Sequence, residues 1–269
     1  MEFVQISNTD ILQFKSFPKD KLFNFSTTIK GGLSKNSYES LNLGLNSGDD
    51  LENVYENRRR LAEILNISNK NLYIPYQTHD DKICIVDENF LELSDEEKTK
   101  RLKGIDAIIT DRKNIGIGIT TADCVPILIF DPTKNIFAAV HAGWKGTAAR
   151  IAAKTVEKMH SHFNCKPQDL IAGIGPCISQ SKFEVGEEVV DCFRQADFPI
   201  DIIGYHNSES GKLHIDLELT NRLILEEAGI IFSSIETANL CTYSNPDKFF
   251  SARRQTIYSG RMITGGVLI

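Results

Sequence analysis

The chain has 269 residues, 41% of them hydrophobic and 25% charged, enough apolar material for a buried core. A net charge of -6 and a pI of about 5.6 argue against a general nucleic-acid or membrane-surface binder, which needs a basic face. No run approaches the roughly 18 apolar residues of a membrane span, and the opening MEFVQISNTDILQFKSF has no signal-peptide core. The chain therefore reads as cytoplasmic. Its six cysteines (Cys84, Cys124, Cys165, Cys177, Cys192 and Cys241), none in a CxxC pair, read as free thiols.

Taken in order, FNFSTTIKGGLS predicts a strand running into a turn at Gly31 and Gly32. A polar loop, SLNLGLNSGDD, follows. Residues Asp50 to Leu65 predict a helix with Leu51, Val54, Leu61 and Leu65 on one face and Asp49 or Asp50 as its cap. LYIPYQTH predicts a strand ending at His79, and SDEEKTKR a charged surface helix. AIIT, IGIGITT, VPILIFD and IFAAVHAG are four β-branched runs parted by turns, DPTKN among them. Gly146 to Met159 predicts an amphipathic helix and LIAGIGPCI a strand. Phe183 to Phe193 and HIDLELTNRLILEEAG predict helices, the second stopped by Gly229, and FFSARRQ and GRMITGGVLI predict closing strands. The mixed order favours an α+β fold, a single domain over residues 1–269 of mixed β-sheets flanked by helices.

Three apolar segments end in a reactive residue: His79 in PYQTH, Cys124 in TTADC and His141 in AAVHAGWKG. A rigid sheet can aim such residues into one cleft. Two imidazoles and a thiolate suit zinc, with a fourth position left open for water or substrate. The spacing is generic, and each residue taken alone reads equally well as packing. Cys124 and His141 also fit a nucleophile–base dyad, in which Asp123 need not orient the base. Lys145 in GWKG and Arg253 and Arg254 in FFSARR are cations able to meet phosphate or carboxylate. GWKGTAARI opens a helix whose free N–H groups favour an anion, although it lacks the Walker pattern. Trp144 reads as a packing residue or a base-stacking one. His160 and His162, at a helix end, read as solvent-facing.

Together, TADCVPILIFDP, AAVHAGWKGTAARI, GIGPCISQSKFEVGEEV, CTYSNPDKFFSARRQ and GRM resemble the YfiH family, whose members are labelled multicopper polyphenol oxidoreductases or laccases. The match runs from about Phe25 to the C-terminus, with residues 1–24 less well matched. The resemblance implies a fold similar to that of a deamidating toxin domain, and a zinc site at His79, Cys124 and His141. It further implies purine nucleoside phosphorylase activity on adenosine, inosine and methylthioadenosine, with adenosine deaminase activity. On that basis Arg254 and Lys145 are expected to bind phosphate. Asp123, and more weakly Glu184, are expected as acid/base groups. The expected partners are purine nucleoside and phosphate, with phenols as an alternative, and neither nucleic acid nor membrane; the chain reads as a monomer. The sequence departs from the family pattern at Asp80 (Gly), Lys145 (Arg), Ile29 (Arg) and Ala252 (Tyr). The alternatives implied are a copper-dependent phenol oxidase and a Cys124 amidase acting on peptidoglycan precursors. A four-copper laccase needs roughly ten histidines, and only six are present, His206 and His214 completing the set. One copper in the His–Cys–His site is the form of that alternative the residues allow.

Overall fold

The four β-branched runs divide between two sheets, as the computed structural model of residues 1–269 shows. Ala107–Thr110, Val125–Asp131 and Ile136–Ala142 lie in one six-stranded sheet. Its order from edge to edge is Ile235–Thr237, Ile171–Ile174, Val125–Asp131, Ile136–Ala142, Ala107–Thr110, Ile83–Val86. Gly116–Thr121 belongs to a second six-stranded sheet, ordered Glu2–Ile6, Thr9–Gln13, Leu22–Thr27, Met262–Leu268, Gly116–Thr121, Leu72–Tyr73. A third sheet of three short strands holds Glu184–Val185, Leu213–Ile215 and Gly204–His206. Parallel and antiparallel pairs occur in both large sheets, giving the mixed α+β architecture expected from the sequence.

The runs lack polar alternation because the first sheet is covered on both faces. Ile108, Leu128, Phe130, Phe137 and Ala139 pack with Ile117 and Ile119 of the second sheet. Ile109, Ile127, Ile129, Ala138 and Val140 cluster instead with Val156 and Met159 of helix Ile151–Phe163 and Ile224 and Leu225 of helix Leu217–Glu227. Each fully buried Val, Leu, Ile, Met or Phe among them contributes about 1.5–3 kcal/mol. Successive strand residues alternate between faces, so His141, two beyond Ala139, turns toward the second sheet. The DPTKN hairpin forms as read: the Asp131 carboxylate accepts from the Thr133 and Lys134 amides at 2.8 and 2.9 Å.

Local predictions failed where polar side chains redirect the backbone. The strand expected to reach His79 stops at Tyr73; Pro75 has no N–H to donate, and His79 itself adopts a left-handed φ of 61°. The helix expected over Gly146–Met159 is two helices, Trp144–Ala148 and Ile151–Phe163, broken at Arg150 with φ 58°. Glu184–Val185 and Leu213–Ile215 are paired strands, and their helices begin only at Glu187 and, after the Asp216 cap, at Leu217. FFSARRQ is no strand: Ser251 caps a short helix, Ala252–Gln255. Leu51, placed on the apolar face of Leu51–Ile64, is 48% exposed.

Candidate metal centre

Cys124 sits in the tight link between Gly116–Thr121 and Val125–Asp131, and His141 is the penultimate residue of its strand. Because Val125 pairs with Ala142 and Pro126 with His141, the thiol lies beside the imidazole. His79 arrives from the loop before Ile83–Val86. One ligand atom from each of the three lies within 4.8 Å of the others. The two imidazole rings stand edge to face at 78°. His141 is buried, Cys124 half-buried and His79 exposed, so the centre is walled on one side and open on the other.

One residue holds both histidines. Asp106, fully buried, accepts from His141 Nδ1 at 2.8 Å and from the backbone amides of Thr78, His79 and Asp80 at 3.1, 3.0 and 2.9 Å. Its carbonyl also accepts from the His141 amide at 2.8 Å. Fixing a proton on Nδ1 leaves Nε2 as the free donor atom, the usual arrangement for a metal-bound imidazole. Sequence reasoning passed over Asp106, which opens an ordinary β-branched run. Burial alone would raise the Cys124 thiol and lower the His141 imidazole. Their mutual attraction reverses both shifts, helped by His79 beside the thiol and Asp106 beside the imidazole. A lowered thiol and two oriented imidazoles form a donor set that fits a soft-accepting transition ion.

Asp123 is the pivot of the turn, at φ 91°. Its carboxylate accepts from Thr242 Oγ1 at 2.6 Å, Ser251 Oγ at 2.9 Å and the Arg253 amide at 2.6 Å. It thereby ties the Cys124 turn to the two C-terminal loops. Gly143 is required by close approach: a Cβ there would lie 2.9 Å from His79 Cδ2 and 3.2 Å from Cys124 Sγ. Gly143→Ala is expected to lower bound metal at least about tenfold, as read by metal analysis of the purified variant; full occupancy would mean the ligands can spread.

The other predicted residues lie apart from the ligands. Arg254 donates to the carbonyls of Thr242, Tyr243 and Phe249 at 2.9, 2.6 and 2.6 Å, so its fork is already occupied. Arg253 bonds the Lys182 and Glu184 carbonyls. Lys145 is exposed, its ammonium 5.4 Å from the centroid of Trp144, which packs against the core. The Glu184 carboxylate faces Lys212 and His214. His160 and His162 are exposed at the end of their helix, as read from the sequence.

The ligands open into a pocket of about 550 Å³, within the roughly 300–1,000 Å³ of small-molecule sites. Its two arginines, Arg58 and Arg261, were not anticipated. Gln77, also in the lining, pairs with the Thr120 backbone at 2.8 and 2.7 Å and extends the sheet edge that Leu72–Tyr73 leaves short.

A mixed α+β fold with a His–Cys–His centre at the end of its sheets defines the class of protein. The chain belongs to the multi-copper polyphenol oxidoreductase laccase family, which matches residues 23–268. It is 40% identical over 242 residues to a purine nucleoside phosphorylase of Bacteroides thetaiotaomicron, covering 90% of each chain. It is 41% identical to the adenosine deaminase RL5 of an unknown prokaryotic organism, covering 90% of this chain and 92% of that one. Its fold matches the crystal structure of the hypothetical protein YfiH of Bacillus licheniformis with a TM-score of 0.88, at 31% identity over 99% of both chains. The resemblance to the YfiH family is thus borne out. His79, Cys124 and His141 are the one group of three or more His, Cys, Asp or Glu side chains close enough to share an ion. No helix is long and apolar enough to cross a membrane.

Proposed function

We propose that the protein is a zinc-dependent purine nucleoside phosphorylase that also deaminates adenosine. The observation that carries this reading is the convergence of His79, Cys124 and His141 on a pocket of nucleoside size that also holds two arginines without an ion-pair partner. The relatives named for these two activities supply the substrate class. An ion held by the three residues supplies Lewis-acid chemistry. In phosphorolysis a phosphate oxygen bonds the anomeric carbon as the glycosidic bond breaks; the bonding pair leaves with the purine, which takes up a proton. In deamination water adds to the amino-bearing carbon of adenine and ammonia leaves. Asp106 holds the His141 proton on Nδ1 through both reactions. Asp123, its two oxygens held by three donors, acts as a positioning residue for the Cys124 turn rather than as acid or base. Purified metal-loaded protein given adenosine and phosphate should release adenine and ribose 1-phosphate, and adenosine alone should yield inosine and ammonia. Absence of both product pairs with metal bound would falsify the reading.

A second reading rests on the same contacts. Cys124, His141 and Asp106 also stand as nucleophile, base and orienting carboxylate. That arrangement supports a thiol amidase in metal-free protein.

A further inference from the structure

Most arginines of this acidic chain face a carboxylate, as do Arg59, Arg112, Arg150, Arg194 and Arg222. Arg58 and Arg261 do not. Both line the metal pocket, and both are tied to the Leu43 backbone. Arg58 Nε donates to the Leu43 carbonyl at 2.9 Å, and the Leu43 amide donates to the Arg261 carbonyl at 3.0 Å. The Arg261 side chain crosses Gly44 so closely that a Cβ there would lie 2.5 Å from its Cγ. Arg261 uses Nη1 on the Ser259 hydroxyl and the Ser259 and Gly260 carbonyls, and Nη2 on the Ile257 carbonyl at 3.5 Å. Arg58 makes no protein hydrogen bond beyond its Nε contact, which leaves Nη1 and Nη2 without a partner.

Both guanidiniums are partly desolvated and neither forms an ion pair with a carboxylate, and Arg58 keeps both terminal nitrogens without a protein partner. Burial lowers Arg58 only to about 10, so it remains a cation at neutral pH, and lowers Arg261 as well. An oxyanion with several acceptor oxygens supplies the missing partner, and the free edge of the Arg58 guanidinium offers two parallel N–H bonds to it. The loop that anchors them is itself braced. Asn42 accepts from the Gly44 and Arg261 amides at 3.0 and 2.9 Å and donates to Ser47 Oγ at 2.7 Å.

We propose that Arg58, with Arg261 beside it, forms the phosphate-binding subsite of the pocket, in place of the Arg254 and Lys145 expected from sequence. The proposal rests on the phosphorylase reading for its ligand and deepens it. It places phosphate at the Arg58 edge of the pocket that His79, Cys124 and His141 also line.

The test uses inorganic phosphate as its probe. Metal-loaded protein is titrated calorimetrically with phosphate in the absence of nucleoside, and initial rates with adenosine are measured against phosphate concentration. Arg58→Gln is expected to raise both the Kd and the KM for phosphate about 100-fold, and Arg58→Lys, which keeps the charge but not the fork, about tenfold. Arg59→Gln, one residue along the same helix and turned outward to Glu56 and Glu63, is the charge-matched control and should leave both values alone. Metal content and urea midpoints establish that each variant is folded. Phosphate constants indifferent to Arg58, or shifted equally by Arg59→Gln, overturn the subsite, as does wild-type protein that binds no phosphate. Phosphate binding that depends on Arg58, without ribose 1-phosphate formation, upholds the subsite and removes the phosphorylase reading.

Discussion

Asp106→Asn is expected to weaken metal binding at the His–Cys–His centre by about 10- to 100-fold while leaving the protein folded. The carboxylate accepts four hydrogen bonds, three from the His79 loop and one from the His141 ring. Asparagine keeps the shape and one acceptor oxygen, so part of the loop clamp survives. Its amide nitrogen cannot accept, however. Turned toward His141, it favours the tautomer with a bare Nδ1 and moves the proton onto Nε2, the atom the metal requires. Turned the other way, it faces backbone amides donor to donor. Alanine removes every acceptor and leaves buried N–H groups unpaired, at about 1–3 kcal/mol each. Asp106→Ala should therefore lower the urea midpoint as well as metal affinity, whereas Asp106→Asn should act mainly on affinity. Competition against a chromophoric chelator reads the first quantity and chemical denaturation the second. An Asn variant that holds metal as tightly as wild type would show that the ligands orient themselves without Asp106.

The residues of the candidate metal centre were legible in the sequence because each follows or ends an apolar run within a block that resembles the family pattern. Asp106 was not. Its role lies in contacts to a loop 26–28 positions earlier and a ring 35 positions later, and nothing in DAIIT marks a carboxylate that will be fully buried. Arg58 was closer to visible. The helix carries Val54, Leu61 and Leu65 on one face, and position 58 fills the gap in that stripe at i+4 from Val54 and i−3 from Leu61. A cation on the buried face of an amphipathic helix calls for a partner, and neither Arg59 nor Arg60 shares that position. Two of the misread elements share one cause. His79 and Arg150 take left-handed backbone conformations that side-chain and tertiary contacts hold and periodicity does not encode. The sheets, by contrast, followed from β-branched composition, since residues such as Ile127 to Phe130 pack against apolar neighbours on either face.

Removing the metal decides between the two chemistries that one set of residues supports. Exhaustive chelation should lower phosphorolysis and deamination at least about 100-fold, the scale expected when a charge-stabilising group is lost from a site, and added zinc should restore both. Copper added instead should restore neither to the zinc level. The same treatment should expose the Cys124 thiol to alkylation. In metal-free protein the neighbouring imidazoles hold it below its ordinary pKa, so thiolate is present near neutrality and reacts; with metal bound, that sulfur is engaged. Peptide mapping identifies the label. Cys84, Cys165 and Cys177 are buried, with thiols raised chiefly by burial, and should stay unmodified. Cys241 is half-buried and lowered by its Ser179 and Ser244 hydrogen bonds even against its burial, so its label is counted separately. The nucleophile reading requires the opposite pattern: stripped protein that remains fully active, and activity lost in step with Cys124 alkylation. Both readings keep His141 and Asp106 in the same places. What separates them is whether the thiolate lone pair belongs to a metal or to the substrate, and the two measurements, made on one stripped sample, answer that directly.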